Sequence, residues 1–331
     1  MNLTSWDRIQ NLQRGLPVDR VPWALWRHAP HQEFISPDFE EASIRFNRKF
    51  GFDLWKIGPR SSYQIRDHGV EDEFRGDWLG RPTYLKAPVR EPSDWTRLRV
   101  LDPWEGWQGK VLQSAKVIAE AAPADVPVVM TIFSPLLQAK NLCGAAALPD
   151  HWRHAPRELR AGLEVLGEST RRLVRELRAL GIHGIYYVIQ ECGHPGLSSP
   201  SYFEVCEELD RAVLTESRLP LNWLHLHGPI IDFAAFARYP AAVLHWDERA
   251  SGVSLPEGAR LFPGLVSGGI SWPEPGTPDA VAQVRRARRD VIRRMEGKRF
   301  ILSASCVVPP AASEAELRAA GEEEGDLEEV A

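Results

Sequence analysis

Residues 222–230, NWLHLHGPI, place His225 and His227 one residue apart inside a run that otherwise reads as an apolar strand. Side chains at i and i+2 of a strand share a face and stand about 6 to 7 Å apart along the chain, so two imidazoles can aim at one point. That spacing suits a shared metal ion. It equally suits two core histidines hydrogen-bonded to their neighbours, and the pair alone leaves both readings open. A metal needs further donors, so the elements that could bring them together have to be found.

With 331 residues, 44% of them hydrophobic, the chain can bury one large core, and α/β barrels reach this length as a single domain. The 40 Lys and Arg are dispersed among 45 acids, for a net charge of -5, so no basic face is offered and nucleic acid is not an expected partner. The opening MNLTSWDRIQ has no basic segment leading an apolar one, and no apolar run approaches the ~18 residues of a membrane span. A cytoplasmic location and no membrane partner are expected. Cys143, Cys192, Cys206 and Cys306 are too scattered for a disulfide framework and form no CxxC, so each is a packing thiol or a ligand.

Short apolar runs begin at Val21, Phe52, Val126, Gly184, Pro220, Ala241, Gly264 and Arg299, and amphipathic helical patterns lie between most of them. Eight strands alternating with helices predict a single (β/α)8 TIM barrel. The Gly-, Pro- and Trp-rich text between residues 59 and 102 predicts a small hairpin excursion after strand two. No linker divides the chain, which reads as one domain over residues 1–331 with an acidic, frayed tail over about 320–331.

Active sites of such barrels lie at the C-terminal ends of the strands. There the sequence puts Arg27 and His28 with His31 just beyond (strand one), Gln190, Glu191 and Cys192 (strand four), and His225 and His227 (strand five). Strand six ends in His245, Trp246 and Asp247, strand seven in Gly268 and Gly269, and strand eight in Cys306. Metal-capable side chains crowd one rim.

These residues carry a resemblance. RGLPVDRVPWALWRHAP, FSPLLQAKNLCG, LHLHG, HWDERASGVSL, FPGLVSGGI and FILSASCVVPPAASEAELRA, in this order, resemble the uroporphyrinogen decarboxylase superfamily, which includes the methylcobamide:coenzyme M methyltransferases. The likeness runs from about residue 6 to residue 319 and implies the same barrel. In the decarboxylases an RQAGRY motif binds substrate carboxylates, and an Asp after strand two stabilises a cationic pyrrole without metal or cofactor. This chain reads RHAPHQ and KIGPRSSY instead: Arg27 matches the first arginine, His31 stands at the second, and the Asp is missing. The methyltransferase branch binds zinc through His-x-Cys-Gly at strand five and a Cys in the strand-eight loop. Here His225-Leu226-His227-Gly228 and Cys306 take those places.

The resemblance therefore implies zinc on His225, His227 and Cys306, in an enzyme moving a methyl group between a corrinoid or small methyl donor and an acceptor. Decarboxylation of uroporphyrinogen III, and non-catalytic binding of a tetrapyrrole or metal, are the alternative readings. Expected roles follow for the neighbours: Arg27 to grip an anionic substrate, or else to form a structural ion pair; Glu191 to act as a fourth or exchangeable ligand or to orient an imidazole, or else to form an ordinary salt bridge with an Arg; Asp247 to hold a ligand histidine or bind substrate, or else to cap a loop. His28 and His31 are expected to line the pocket, or else to take surface or structural roles, and Trp246 to stack on a flat ligand, or else to anchor the core. The expected partners are a small-molecule or corrinoid-protein methyl donor and a second copy of the chain in a homodimer.

Overall fold

Seven of the eight expected strands form one continuous parallel ladder in a computed structural model that describes residues 2–33, 37–190 and 199–322. In order the ladder is β1 (Trp55–Ile57), β4 (Val128–Phe133), β5 (Gly184–Ile189), β6 (Trp223–Leu226), β7 (Val243–Trp246), β8 (Leu265–Ile270) and β9 (Phe300–Ala304). Between β1 and β4 stands the expected hairpin, β2 (Glu71–Glu73) paired antiparallel with β3 (Thr83–Lys86). Parallel neighbours need crossovers, and helices supply them. The helices α1 (Ser5–Gln13) and α2 (Asp38–Phe50) precede β1, and α3 (Gly106–Ala121) leads into β4. After β4 come α4 (Pro135–Cys143), α5 (Leu148–His154) and α6 (Pro156–Leu177); α7 (Ser199–Ser217) follows β5 and α8 (Phe233–Phe236) follows β6. The remaining four are α9 (Glu248–Ser251), α10 (Leu255–Leu261), α11 (Ala280–Arg294) and α12 (Glu314–Gly321). The longest, α6, buries Leu159, Leu163, Leu166, Leu173 and Leu177, a three-and-four spacing that gives it one apolar stripe.

The expected first strand is reduced to two isolated bridges, Trp23 to Leu302 and Arg27 to Val308. Pro22 has no N–H to give to a ladder, so this segment bonds at intervals: Leu302 N donates to Pro22 O, Ala24 N to Leu302 O, and Val308 N to Trp26 O. On its other side Asp53 N donates to Trp23 O at 2.9 Å, just before β1, and this closes the barrel.

A carboxylate reinforces that seam. Asp53 is fully buried, and its two oxygens accept from Ser5 Oγ (2.9 Å), Arg8 Nη1 (3.1 Å), Arg20 Nη1 (2.5 Å) and Nη2 (2.9 Å), and Trp23 N (3.0 Å). A buried charge survives only with such a complement of donors. At the C-terminus α12 continues through Ala320 and Gly321, both part of the segment expected to be frayed, because Leu317, Ala319 and Ala320 are buried; residues 323–331 lie outside the described residues. Among the described residues no helix is long and apolar enough to cross a membrane.

Candidate metal centre

Strand alternation decides what faces the barrel interior. On β6 Trp223 and His225 point inward, and on β7 so does His245, paired with His225 in the parallel register. On β5 Tyr186 is the inward residue; its ring stacks on His225 at 5.2 Å between centroids. On β1 the inward residue is Lys56, flanked by the buried Trp55 and Ile57. Lys56, Tyr186 and His225, with Trp223 and His245 packed against them, form the floor of a cavity of about 1070 Å³ that opens at the C-terminal rim and is also lined by Arg27, His28, Glu33, His227 and Cys306.

His225, His227 and Cys306 converge there, with one donor atom from each lying within 4.8 Å of the others. Cys306 Sγ stands 3.7 Å from His227 Nδ1. A tetrahedral zinc ion with ordinary Zn–S and Zn–N bonds sets its sulfur and nitrogen roughly 3.6 Å apart, so that edge already fits and the longest must contract by about an ångström. Two imidazole nitrogens and a sulfur are the donor set a borderline-soft cation prefers. Gly228, at φ +130°, turns the chain directly after His227, a conformation in which L side chains are strained.

His245 fixes how His225 presents its nitrogens. His245 Nε2 stands 2.9 Å from Ala304 O, a group that only accepts, so Nε2 carries the proton and Nδ1 is an acceptor. His225 Nδ1 lies 2.7 Å from that Nδ1 and must donate to it; the Tyr186 hydroxyl, 3.0 Å from the same nitrogen, shares its one lone pair. His225 is thereby left with a bare Nε2 as its ligand atom. Burial, with the nearby His245, His227 and Lys56 charges, pushes the His225 pKa well below its usual value. Burial likewise lowers His245 to about 3, so both rings are neutral at physiological pH. The Cys306 thiol is pushed up to about 11 by burial and then by the Asp247 carboxylate, so ionising it needs a cation at hand.

The remaining expected residues separate. Arg27 stands at the cavity mouth with its guanidinium 4.8 Å from the centre of the Phe46 ring, and it pairs with no carboxylate among the described residues. Burial, and then the Arg45 charge, lowers its pKa. His28 lines the cavity and donates from Nδ1 to Glu33 Oε1 at 2.7 Å. Asp247 caps α9, accepting from Arg249 N and Ala250 N, and its charge is felt by Cys306. Glu191 and Cys192 lie outside the described residues.

His31 is not in the cavity wall: it sits exposed, edge-on to Phe74 at 5.3 Å, because the turn after Pro30 carries it outward. Trp246 is not available to stack on a ligand. It follows the inward His245, so its ring points out of the barrel, where it is fully buried against Phe233 and Gly258 and donates to Val253 O.

Two cavity residues escape a reading that looks only at strand ends. Lys56 carries a signal, a lysine at the centre of the apolar triplet Trp55–Ile57, whereas His245, visible at the end of strand six, gains its role only from its register with His225. Glu33 had no sequence signal; it is buried, and among the described residues its Oε2 has no hydrogen-bond partner.

A search of curated proteins returns no match. Among solved structures, a methyltransferase from Methanosarcina mazei superposes with a TM-score of 0.82 at 16% identity, covering 96% of this chain and 97% of that one. A B12-independent methionine synthase from Shewanella sp. W3-18-1, in complex with selenomethionine, superposes with a TM-score of 0.53 at 13% identity, covering 91% and 94%. At such identities the likeness is one of fold. The family model for uroporphyrinogen decarboxylase (URO-D) matches residues 39–323, which include all seven strands of the parallel ladder and all three converging donors, and the chain belongs to that family.

Proposed function

We propose that this chain is a zinc-dependent methyltransferase, moving a methyl group between a corrinoid or small methyl donor and an acceptor at the barrel rim. The observation that carries the reading is the convergence of His225, His227 and Cys306, with His245 holding one imidazole in a ligand-ready tautomer. Zinc held by these three would keep a fourth position open and lower the pKa of a thiol bound there. The chain's own groups do the rest. Neutral His225 supplies a lone pair without first losing a proton, and Cys306 would give up its proton as a cation arrives. Trp26, Tyr186 and His225 are buried at the cavity floor and offer it mostly ring faces. In the transfer itself the bond from methyl carbon to donor breaks as the bond to the acceptor forms, and an acceptor thiol would release its proton to solvent.

Cofactor-free decarboxylation of uroporphyrinogen III is the second reading, favoured by Arg27 and by the family as a whole. It requires an anion beside a developing pyrrole cation. The inward side chain of β1 is instead a lysine, Lys56, whose charge would oppose that cation. Metal analysis of untagged protein tests the first reading: about one zinc per chain is expected, with sharp loss in Cys306→Ala and His227→Ala. Folded wild-type protein that neither carries nor takes up a divalent metal would falsify it. Anaerobic turnover of uroporphyrinogen III, expected to be absent, decides the second.

A further inference from the structure

A second cavity, of about 960 Å³, is lined by Pro22, Trp23, Arg299 and Phe300, the residues that lead into the barrel, and so lies at its N-terminal end, away from the candidate metal centre. Trp23, Ile292 and Phe300 give it an apolar floor, and Leu16 in its wall is 49% exposed. The charged part of the wall has one sign. Arg20, Arg288, Arg289, Arg293, Lys298 and Arg299 line the cavity against a single acid, Glu296. Asp53 answers Arg20 and Asp290 answers Arg293, but Arg289, Lys298 and Arg299 pair with no carboxylate among the described residues. Cations set over an apolar floor suit an acidic segment that also carries apolar side chains.

The chain leaves α12 at this cavity. Ala320 and Gly321 belong to its wall, and a Cβ on Gly321 would collide with the Trp23 ring, so the backbone emerges against the floor. The next residue is already paired with α11: Glu322 Oε2 accepts from Arg285 Nε at 2.9 Å and from Nη2 at 2.7 Å. The sequence continues EEGDLEEVA, residues 323–331, which lie outside the described residues and carry five acids with Leu327 and Val330. The spacings match. Arg285, Arg289 and Arg293 recur every four residues of α11, about 6 Å apart along the helix. Extended backbone sets alternate residues about 6.6 Å apart, which is the repeat of Glu322, Glu324, Asp326 and Glu328.

We propose that this basal groove is the docking surface for the chain's own acidic run, residues 323–331, which continues the Glu322–Arg285 pair along Arg289 and Arg293 and covers the apolar floor at Trp23. The contact fastens the far end of α12 to the segment that bonds to Leu302 on β9 and closes the barrel. It is independent of any reaction at the opposite rim.

The test uses the full chain. A water-soluble carbodiimide joins a lysine amine to a carboxylate only where the two meet, and Lys298 is the one lysine lining the groove. Peptide mapping of the monomeric fraction should find Lys298 joined to acids of residues 323–331. Arg289→Glu combined with Arg293→Glu leaves the amine and the acidic run untouched, and should cut the yield about tenfold, because the reversed charges repel the acids they face. Absence of the Lys298 product in wild type, or an undiminished yield in the doubly reversed protein, overturns the proposal. A product found only in the dimeric fraction also overturns it, since the groove would then take the acidic run of a second copy. Should the doubly reversed protein not fold by circular dichroism, Arg289→Gln with Arg293→Gln carries the same comparison, with a reduced yield expected and an unchanged yield counting against the assignment.

Discussion

Replacing His245 with Phe keeps a flat ring in the barrel interior and removes both nitrogens. Three buried groups then lose their partner: His225 Nδ1–H (2.7 Å), the Tyr186 hydroxyl (3.0 Å) and Ala304 C=O (2.9 Å). Each orphaned group costs about 1 to 3 kcal/mol, and the gain from burying a phenyl ring in place of an imidazole offsets part of it. A net destabilisation of roughly 2 to 4 kcal/mol is expected in metal-free protein. The functional effect is separate. With no acceptor opposite Nδ1, the His225 ring is free to protonate at Nε2 or to rotate, and ligands that lose such a partner weaken metal affinity by about 10- to 100-fold, or roughly 1.4 to 2.8 kcal/mol. Competition against a chromophoric chelator at neutral pH measures the zinc affinity, and thermal melts of chelator-stripped protein measure the stability. Trp246→Phe is the control: it is the next residue and equally buried, but it points out of the barrel and loses only its bond to Val253 O. The reasoning fails if His245→Phe holds zinc within twofold of wild type, or if Trp246→Phe weakens zinc binding as much.

Arg27→Met should shift the melting temperature by about 1 °C or less and leave metal content intact, since no described carboxylate is orphaned; a drop beyond about 5 °C would make Arg27 a structural brace. Asp53→Ala should cost about 3 to 5 kcal/mol in urea unfolding, because Arg8 and Arg20 lose a buried carboxylate at the barrel seam, and a loss below about 1 kcal/mol would contradict that role. Asp210 is buried on α7 and accepts from the Tyr187 and Tyr202 hydroxyls; burial raises its pKa from 3.8 to about 7. The folded state therefore holds a proton that the unfolded state has released, so this group's contribution is full below pH 3.8 and is lost as pH rises to about 7. Stability of wild type minus that of Asp210→Asn should fall by up to a few kcal/mol over that window; a flat difference would mean that Asp210 is ionised throughout.

The barrel was legible because its code is local: alternating apolar runs and helical stripes recur eight times, whatever lies between them. Strand one was misread as a ladder because apolar composition does not report that Pro22 lacks a donor where the neighbouring strand needs one. At the site the i, i+2 histidines were visible, since their convergence depends only on strand period. Trp246 was misassigned because a position near a strand end says nothing of which face the side chain takes, and parity with His245 decides that. Lys56 and Glu33 went unseen for a different reason. Their meaning lies in what surrounds them in space, two rings about one and an unfilled oxygen on the other, and neither is a sequence pattern.

The bond from Trp26 Nε1 to Cys306 O, at 2.7 Å, joins residues 280 apart in the chain, whereas His225 and His245 are only 20 apart. Closing the longer loop costs about 2 kcal/mol more in chain entropy than closing the shorter one. During synthesis the N-terminal parts emerge and fold first. The histidine pair can thus be assembled while the last strand is still absent, but the sulfur reaches its place only when β9 docks beside the segment at residues 22–27. Under the proposed function, a metal ion present during folding would meet only His225 and His227 before β9 docks, and tight capture would report that the cylinder has closed.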